Sequence, residues 1–256
     1  MLEHPTLDKL AALKLRGMLE ALQEQRQMSE YSNLTFEERL GMLVDREAIV
    51  RQNKLIAGRM RRAALRQEVA VEDIDFRHPR GLDRSVVLSL ATCQWVRGRR
   101  NCLITGPTGV GKSYLACALA QKACREGFSA RYARLSRLLA DLITARHDGS
   151  YYAKLGALAH VDLLILDDWG VTPLTDDNRR DLLELLDDRY DRRSTLVTSQ
   201  IPVEKWHEYI ANPTLADAIL DRLVHNAHRL ALSGESMRRI NAAATDEETR
   251  IISEAS

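Results

Sequence analysis

One segment of the sequence has residue types and spacing suited to binding a phosphate group: GPTGVGKS at residues 106–113. Its glycines allow a tight turn in which successive backbone N–H groups point inward around an anion. The helix predicted to follow favours negative charge at its N-terminus. Lys112 can reach the β- and γ-phosphates of a nucleotide, and the Ser113 hydroxyl can bind Mg²⁺. Because a predicted strand precedes the segment, its context is that of a P-loop.

The P-loop assignment predicts a continuous set of nucleotide contacts along the turn and the first residues of the helix. Both the backbone N–H groups and the lysine contribute to such a site. The predicted nucleotide-binding residues are Gly106, Pro107, Thr108, Gly109, Val110, Gly111, Lys112, Ser113 and Tyr114.

A second segment, LLILDD at residues 163–168, ends an apolar strand in two carboxylates. A strand without polar alternation is typical of the centre of a parallel sheet. Ligands of open α/β sheets bind at the carboxyl ends of the strands. We therefore predict that Asp167 holds Mg²⁺, through water, and that Asp168 polarises the attacking water. Many ATPases have a glutamate there, and the shorter aspartate favours slow hydrolysis, which suits a switch better than a motor.

A third segment, TLVTSQ at residues 195–200, is an apolar strand with polar residues at its tip. In P-loop ATPases with an extra strand between the two Walker strands, a polar side chain here contacts the γ-phosphate. Gln200 is the favoured candidate, Ser199 is the next, and Thr198 is the third. Strand ends are polar in many proteins, so the pattern alone does not select one of them.

The surrounding pattern predicts an α/β fold with a helical region before it. Strands that alternate with helices indicate a parallel sheet flanked by helices, whereas residues 1–68 have helical periodicity only. A helix should run from the N-cap Thr35 to about Gln67, and Pro79 and Gly81 indicate an extended linker. The predicted strands are 101–105, 129–133, 161–167, 195–199 and 228–232. The predicted domains are a helical domain at 1–68, a linker at 69–83, an ATPase domain at 84–240 and a polar tail at 241–256.

Composition limits the class of protein. The chain has 256 residues, of which 45% are apolar, enough for one core and an appendage. Its net charge of +1 means that any affinity for nucleic acid must come from a local cluster. The four cysteines lack CxxC spacing and are expected to be buried free thiols. Without a signal peptide or an apolar run near the ~20 residues that span a bilayer, we predict a cytoplasmic protein with no membrane partner.

Several segments together resemble the IstB-type AAA+ ATPases, the helper proteins of certain bacterial insertion sequences. They are GPTGVGKSYLACALAQKACREG, LLILDDWG, STLVTSQIPVEKWHEYI, DAILDRLVHNAHRLALSGESMR and, toward the N-terminus, LKLRGMLEAL, LTFEERLGMLVDRE and DIDFRHPRGLD. The resemblance covers nearly the whole chain. DnaC-type helicase loaders are also similar, but SQIPVEKWHEYI and GESMR resemble the transposition helpers more.

The resemblance implies a RecA-like AAA+ sheet, ATP and Mg²⁺ as cofactors, ATP-dependent self-assembly on duplex DNA, and stimulation of a partner transposase. It also implies an arginine that reaches the nucleotide of the next subunit, a position that Arg222 matches. An ion pair with Asp217 or Asp221 is the alternative role for that residue. Arg238 matches a second arginine, which senses the γ-phosphate in cis. We expect no separate C-terminal lid, so residues 74–83 or a neighbouring subunit should close over the base.

For a protein that assembles on DNA, the stretch RQNKLIAGRMRRAALR at residues 51–66 is the main candidate contact, because it has six basic residues and no acid. On a helix, four of its arginines would lie roughly along one side and could contact phosphates in a salt-dependent manner. A solvated face or a contact with another subunit is the alternative. The candidates are Arg51, Lys54, Arg59, Arg61, Arg62 and Arg66. A weaker second patch contains Arg131, Arg134 and Arg137.

Two features have no predicted chemistry. The mixed charges of DDNRRD and DDRYDRR, within residues 175–193, indicate a solvated or subunit-contacting helix. Trp169 could pack in the core or lie near DNA, and the sequence does not decide between these.

The sequence therefore predicts an ATP-dependent DNA-binding ATPase that helps a transposase. A helicase loader with the same ATPase domain is the nearest alternative. A small-molecule kinase would need an acceptor pocket and a lid insertion, for which we find no segment. An inactive scaffold fits poorly with the intact set of Lys112, Ser113, Asp167 and Asp168.

Overall fold

The computed structural model describes residues 5–237 and 239, which form two compact units that divide between Gly58 and Arg59. The N-terminal unit is helical, and the C-terminal unit contains a five-stranded parallel sheet. The helices are α1 (Pro5–Ala12), α2 (Arg16–Gln27), α3 (Phe36–Ala63), α4 (Arg84–Ala91), α5 (Gln94–Arg97), α6 (Lys112–Arg125), α7 (Leu135–Asp148), α8 (Tyr151–His160), α9 (Asp176–Arg189), α10 (Trp206–Ile210) and α11 (Pro213–Val224). The strands are β1 (Asn101–Thr105), β2 (Ala130–Arg134), β3 (Leu163–Trp169), β4 (Ser194–Ser199) and β5 (Ala227–Ala231). Among the described residues, none of these helices combines the length and apolarity needed for a membrane span.

In the N-terminal unit, α2 and α3 are in close contact. A Cβ added at Gly17 would lie 2.6 Å from the Glu47 Cα, so only glycine allows this approach. The Gly17 N–H donates to Glu47 Oε2 at 2.8 Å. The predicted capping box at the start of α3 is present, since Thr35 N–H donates to Glu38 Oε2 at 2.8 Å and Glu38 N–H donates to Thr35 Oγ1 at 3.3 Å.

The end of α3 differs from the prediction that the helix continues to Gln67. The helix ends at Ala63, because Ala64 adopts a left-handed conformation with φ +48°. Glycine usually occupies such a position, so no sequence signal marked it. Leu65 and Val69 then pack against the core beside the sheet, where Ala63 is fully buried.

Residues 69–83, predicted as an extended linker, pack onto the sheet unit. Val71 and Ile74 are buried in the core, and the Ser233 N–H donates to the Arg80 carbonyl oxygen at 2.9 Å. The compact units accordingly divide at Gly58 within α3, ten residues before the boundary suggested by the sequence.

The sheet has the strand order β2-β3-β4-β1-β5, and every neighbouring pair is parallel. Each strand begins and ends within two residues of its predicted position. β4 lies between β3 and β1, which is the extra strand expected between the two Walker strands. The carboxyl ends of β1, β3 and β4 therefore lie next to one another.

Two apolar cores cover the two faces of the sheet. On β1, Cys102 and Ile104 belong to the core shared with α4, α5 and α6, whereas Leu103 belongs to the core shared with α7, α8, α9 and α11. This alternation is expected for a strand that is buried on both faces. The cysteines are buried free thiols, as predicted: Cys93, Cys102, Cys117 and Cys124.

The mixed-charge helix α9 has exposed charged residues, as predicted for its solvated side, but two of its charged residues, Asp181 and Arg189, are buried. Arg189 is 1% exposed and donates to the carbonyl oxygens of Leu158 and Val161 and to Thr195 Oγ1. These bonds satisfy the guanidinium inside the protein. Trp169 is a packing residue: it is fully buried, and its ring centroid lies 5.1 Å from that of Trp206.

Candidate nucleotide-binding active site

The P-loop connects the end of β1 to the start of α6, as the sequence predicts. Gly109 and Gly111 have φ values of +90° and +97°, which side chains with a Cβ rarely adopt. A Cβ at Gly111 would also lie 2.6 Å from Arg80 Nη1. The backbone conformation therefore favours glycine at both positions, and at Gly111 the lack of a side chain also leaves room for the Arg80 guanidinium.

Lys112, the first residue of α6, lies against the loop. Its Nζ donates to the carbonyl oxygens of Gly106 and Pro107, each at 2.7 Å. Burial lowers the pKa of Lys112, and the negative charges of Asp167 and Asp168 oppose this shift. The two carboxylates thus favour the charged form of lysine, which is the form that binds phosphate.

Asp167, at the carboxyl end of β3, is fully buried and accepts hydrogen bonds from three hydroxyl groups. Ser113 Oγ donates to Oδ1 at 2.7 Å, and Thr198 Oγ1 donates to the same oxygen at 2.5 Å. The Tyr132 hydroxyl donates to Oδ2 at 2.5 Å, and Arg66 Nη1 lies 3.5 Å from that oxygen. These contacts fix the carboxylate beside the first turn of α6.

The predicted magnesium ligands are therefore adjacent. The Ser113 hydroxyl and the Asp167 carboxylate are both oxygen donors, the ligand type that Mg²⁺ requires. They lie within one hydrogen bond of each other, next to the loop that would hold the phosphates. The residues present fit a Mg²⁺ ion that is shared with a nucleotide.

Asp168, the next residue along the chain, contacts a different partner. Its backbone is left-handed, with φ +65°, a conformation that costs a non-glycine residue about 1–3 kcal/mol. Its N–H donates to Thr198 Oγ1 at 3.2 Å, and its Oδ2 lies 3.0 Å from Arg134 Nε. The turn separates the two carboxylates, so that Asp167 faces the sheet and Asp168 lines the cleft.

The three candidates at the tip of β4 have different surroundings. Thr108 Oγ1, on the P-loop, donates to Gln200 Oε1 at 2.8 Å. Ser199 is buried and donates to the Trp169 carbonyl oxygen at 2.9 Å. Thr198 Oγ1 accepts from the Asp168 N–H and donates to the Asp167 carboxylate. Of the three, Gln200 is the one whose side chain contacts the P-loop.

A cleft of about 550 Å³ lies over the P-loop, between Gln200 on one side and residues 66–80 on the other. Arg80 is buried and donates to the carbonyl oxygens of Val110, at 3.1 Å, and Asp75, at 2.7 Å. Asp75 and Arg80 thus line the cleft, and the closing of residues 74–83 or of a neighbouring subunit over the base stays a prediction. The predicted sensor Arg238 and the tail at 241–256 lie outside the described residues, and the absence of a lid stays a prediction.

Arg222 lies far from the nucleotide cleft of its own chain. Its carbonyl oxygen accepts a hydrogen bond from Asn101 Nδ2 at 2.8 Å, at the start of β1, whereas the P-loop follows the end of β1. Its Nε is 2.5 Å from Asp187 Oδ1, and its Nη1 is 3.6 Å from Asp221 Oδ2. The arginine therefore lies near the amino-terminal end of β1, whereas the P-loop follows its carboxyl end. Two carboxylates, Asp187 and Asp221, hold the arginine there.

Sequence reasoning missed Tyr132, Arg134 and Arg80 as site residues, and it assigned Arg66 to a DNA-binding helix face. Arg66 lies beyond the end of α3 and reaches Asp167, so the predicted common face does not include it. The other candidates for DNA contact lie on α3, where Lys54, Arg61 and Arg62 are exposed, Arg59 is half-buried and Arg51 is paired with Glu47.

The parallel sheet with an inserted strand between β1 and β3, the P-loop and the acidic end of β3 define a P-loop ATPase of the AAA+ class, which binds ATP. The model of the family described as IstB-like ATP binding protein matches residues 8–244, and the chain belongs to that family. It is similar to an insertion sequence ATP-binding protein of Sinorhizobium fredii, with 54% identity over 93% of this chain and 98% of that protein.

Solved structures agree with this fold. The chain superimposes on the crystal structure of DnaI with a TM-score of 0.57 and 20% identity, over 64% of this chain and 91% of that one. The DnaC helicase loader gives a TM-score of 0.51 and 19% identity, over 62% of this chain and 94% of that one. At such identities the likeness concerns the fold alone.

Proposed function

We propose that this protein is an ATP-dependent DNA-binding ATPase that assembles on duplex DNA and helps a transposase to use a target site. The observation that carries the proposal is the position of Arg222, at the sheet edge opposite its own P-loop. An arginine there can complete a nucleotide site only in a second copy of the chain. The link to transposition is supported by the insertion-sequence proteins of the same family.

The residues of the cleft suggest how hydrolysis would proceed. Lys112 would hold the phosphates in the P-loop, and Ser113 and Asp167 would hold Mg²⁺. When bound, Mg²⁺ neutralises charge on the phosphates. Asp168 would orient the attacking water and accept its proton, and Gln200 would contact the terminal phosphate. Each role is proposed because the side chain lies at or beside the P-loop.

Slow turnover is part of the proposal. Asp168 is shorter than the glutamate of many ATPases, and its Oδ2 is engaged by Arg134. Both features reduce its efficiency as a base for water in the cleft. We therefore infer that ATP binding drives assembly and that hydrolysis ends it, with Arg222 leaving Asp187 to reach the neighbouring nucleotide.

The experiment that tests the proposal is the variant Lys112→Ala. It should lose nucleotide binding, measured with a fluorescent ATP analogue, and with it the stimulation of duplex binding by ATP. Lys122→Ala is a matched control on the same helix, because Lys122 pairs with Glu126 on the surface. If Lys112→Ala bound duplex DNA like the wild type in the presence of ATP, the proposed coupling would be wrong.

A helicase loader is the second candidate, since the same fold occurs in the DnaC helicase loader. In that case the N-terminal helices would bind a replicative helicase. Pull-down of the full chain with a purified helicase and with the cognate transposase separates the two functions. Retention of the transposase alone is the result that our proposal predicts.

A further inference from the structure

A second cleft of about 550 Å³ lies at the edge strand β2, beside the nucleotide cleft. Its lining contains four arginines and a single acid, Asp141. We call this the arginine cleft and define it by Arg66, Arg131, Arg134 and Arg137. In a chain with a net charge of only +1, this is a marked local excess of positive charge.

The charges of the arginine cleft are only partly neutralised. Arg66 and Arg134 lie near Asp167 and Asp168, at 3.5 and 3.0 Å. Within residues 5–237, no carboxylate oxygen lies within 4.0 Å of a nitrogen of the other two arginines. Like charges that share a cleft repel one another, and a bound anion would offset the repulsion. The cleft is therefore suited to an anionic ligand.

The shape of the basic surface favours a chain of phosphates over a single anion. Arg131 Nη1 donates to the Arg62 carbonyl oxygen at 3.0 Å, which places the arginine cleft against the basic end of α3. Arg61 and Arg62 are exposed there, as are Arg131 and Arg137. Exposed arginines on adjoining elements can contact several charges at once, and a phosphodiester backbone carries such a series of charges.

Two of the arginines also line the nucleotide cleft. Arg66 and Arg134 belong to both clefts, and they are the residues that contact the two acids at the end of β3. A phosphate that attracts either guanidinium changes the surroundings of those carboxylates. Arg66 and Arg134 are therefore positioned between the two clefts.

We propose that the arginine cleft binds the phosphate backbone of DNA and that Arg66 and Arg134 connect this contact to the nucleotide site. The inference rests on the proposed function and adds to it a specific surface for DNA beyond α3. Since linkage is reciprocal, duplex DNA should change nucleotide affinity by the same factor by which nucleotide changes DNA affinity.

The test uses the full chain with Arg131→Ala and Arg137→Ala combined. Both side chains are exposed, neither contacts Asp167 or Asp168, and the one bond lost is the exposed one from Arg131 to the Arg62 carbonyl oxygen, so the variant should fold and bind nucleotide. The fluorescence anisotropy of a labelled duplex is followed from about 50 to about 200 mM salt, in the presence of a non-hydrolysable ATP analogue. Each lost phosphate contact lowers the slope of log affinity against log salt by about 0.9. The double variant should therefore lose up to about 1.8 of that slope.

The matched control combines Arg180→Ala and Arg229→Ala. It removes one exposed arginine from α9 and one from β5, the outer strand on the side of the sheet opposite to β2. It should keep the wild-type slope. If the wild type shows ATP-stimulated duplex binding and the cleft variant keeps its full slope, the inference about the cleft is overturned and the proposed function stands. If the wild type itself shows no ATP-stimulated binding, the proposed function fails.

A second measurement shows whether the arginine cleft binds another copy of the chain in place of DNA. Light scattering gives the particle mass with the ATP analogue but without DNA. If the cleft variant assembles less than the wild type while its salt slope is unchanged, the cleft binds another copy of the chain, and the inference is wrong. Unchanged mass with a reduced slope is the result expected for a DNA contact.

Discussion

Arg222 provides a prediction whose magnitude follows from the structure. It lies beside the start of β1, and the P-loop begins after the end of that five-residue strand. At about 3.3 Å per residue, the strand places the two roughly 17 Å apart. An arginine side chain has six bonds from Cα to Nη, each about 1.5 Å or less, and their zigzag path extends only ~7 Å. Arg222 therefore cannot reach the nucleotide of its own chain.

We expect Arg222→Ala to bind ATP normally and to lose hydrolysis. In other P-loop enzymes an arginine supplied by a second protein is worth about 10³–10⁵ in kcat. A fall of at least about 10²-fold is expected here, measured by phosphate release under saturating ATP and duplex DNA. Turnover like that of the wild type would show that Arg222 does not act on the nucleotide.

Mixing variants tests whether the arginine acts between copies. Arg222→Ala keeps an intact nucleotide site, and Lys112→Ala keeps an intact arginine. In a random equal mixture roughly a quarter of the interfaces combine the two intact halves, so about a quarter of wild-type activity should return. A mixture no more active than its separate components would contradict the arrangement in trans.

Asp187→Asn is the control for the ion pair. If the defect of Arg222→Ala came from loss of the 2.5 Å contact with Asp187, this variant would share it. Our account predicts the reverse: releasing Arg222 from Asp187 leaves hydrolysis intact, because the arginine must leave that carboxylate to act.

Three further predictions follow from the site and from the N-terminal unit. Gln200→Ala should keep ATP affinity but lower turnover, measured by phosphate release, because its side chain contacts the P-loop. Reversal of Arg59 and Arg62 to Glu should reduce duplex affinity and its salt slope without changing nucleotide binding. A hydrogen bond from Arg51 holds the pKa of Glu47 below its ordinary value of 4.5. The stability it supplies is therefore present above that pH and lost as the pH falls, and thermal melts of Glu47→Gln should lack this part of the pH dependence.

Each of these predictions has a matched control. Ser199→Ala removes a buried hydroxyl that bonds to the backbone, so it should lower the free energy of unfolding by about 1–3 kcal/mol and leave turnover per folded molecule unchanged. Arg180→Glu with Arg229→Glu carries the same charge reversal on other surfaces and should keep DNA affinity. Glu20→Gln, at an exposed position of α2, should melt like the wild type at every pH. Equal effects of test and control variants would contradict the corresponding prediction.

The parts of the site that are local in sequence could be predicted. The P-loop and the acidic end of β3 each combine an apolar strand with its functional residues in one short segment, and the alternation of strands and helices indicated a parallel sheet. The contact between Ser113 and Asp167 follows, because the carboxyl ends of parallel strands meet at one edge.

The parts that depend on distant contacts could not be predicted. Tyr132 and Arg134 reach the acids of β3 because β2 pairs with β3, and a pattern within β2 does not indicate its neighbour. Arg66 was placed on a helix because the left-handed residue that ends α3 is Ala64, where glycine would have marked the end. Arg189 lies in a charged stretch, yet the carbonyl oxygens around it allow its burial.

The central claim is that a bound triphosphate joins copies of this chain and that the joined form holds duplex DNA. The most direct test is light scattering combined with duplex binding under three conditions: without nucleotide, with ADP, and with a non-hydrolysable ATP analogue. We predict that mass and DNA affinity rise together with the ATP analogue alone. Identical mass and affinity under all three conditions would contradict the account.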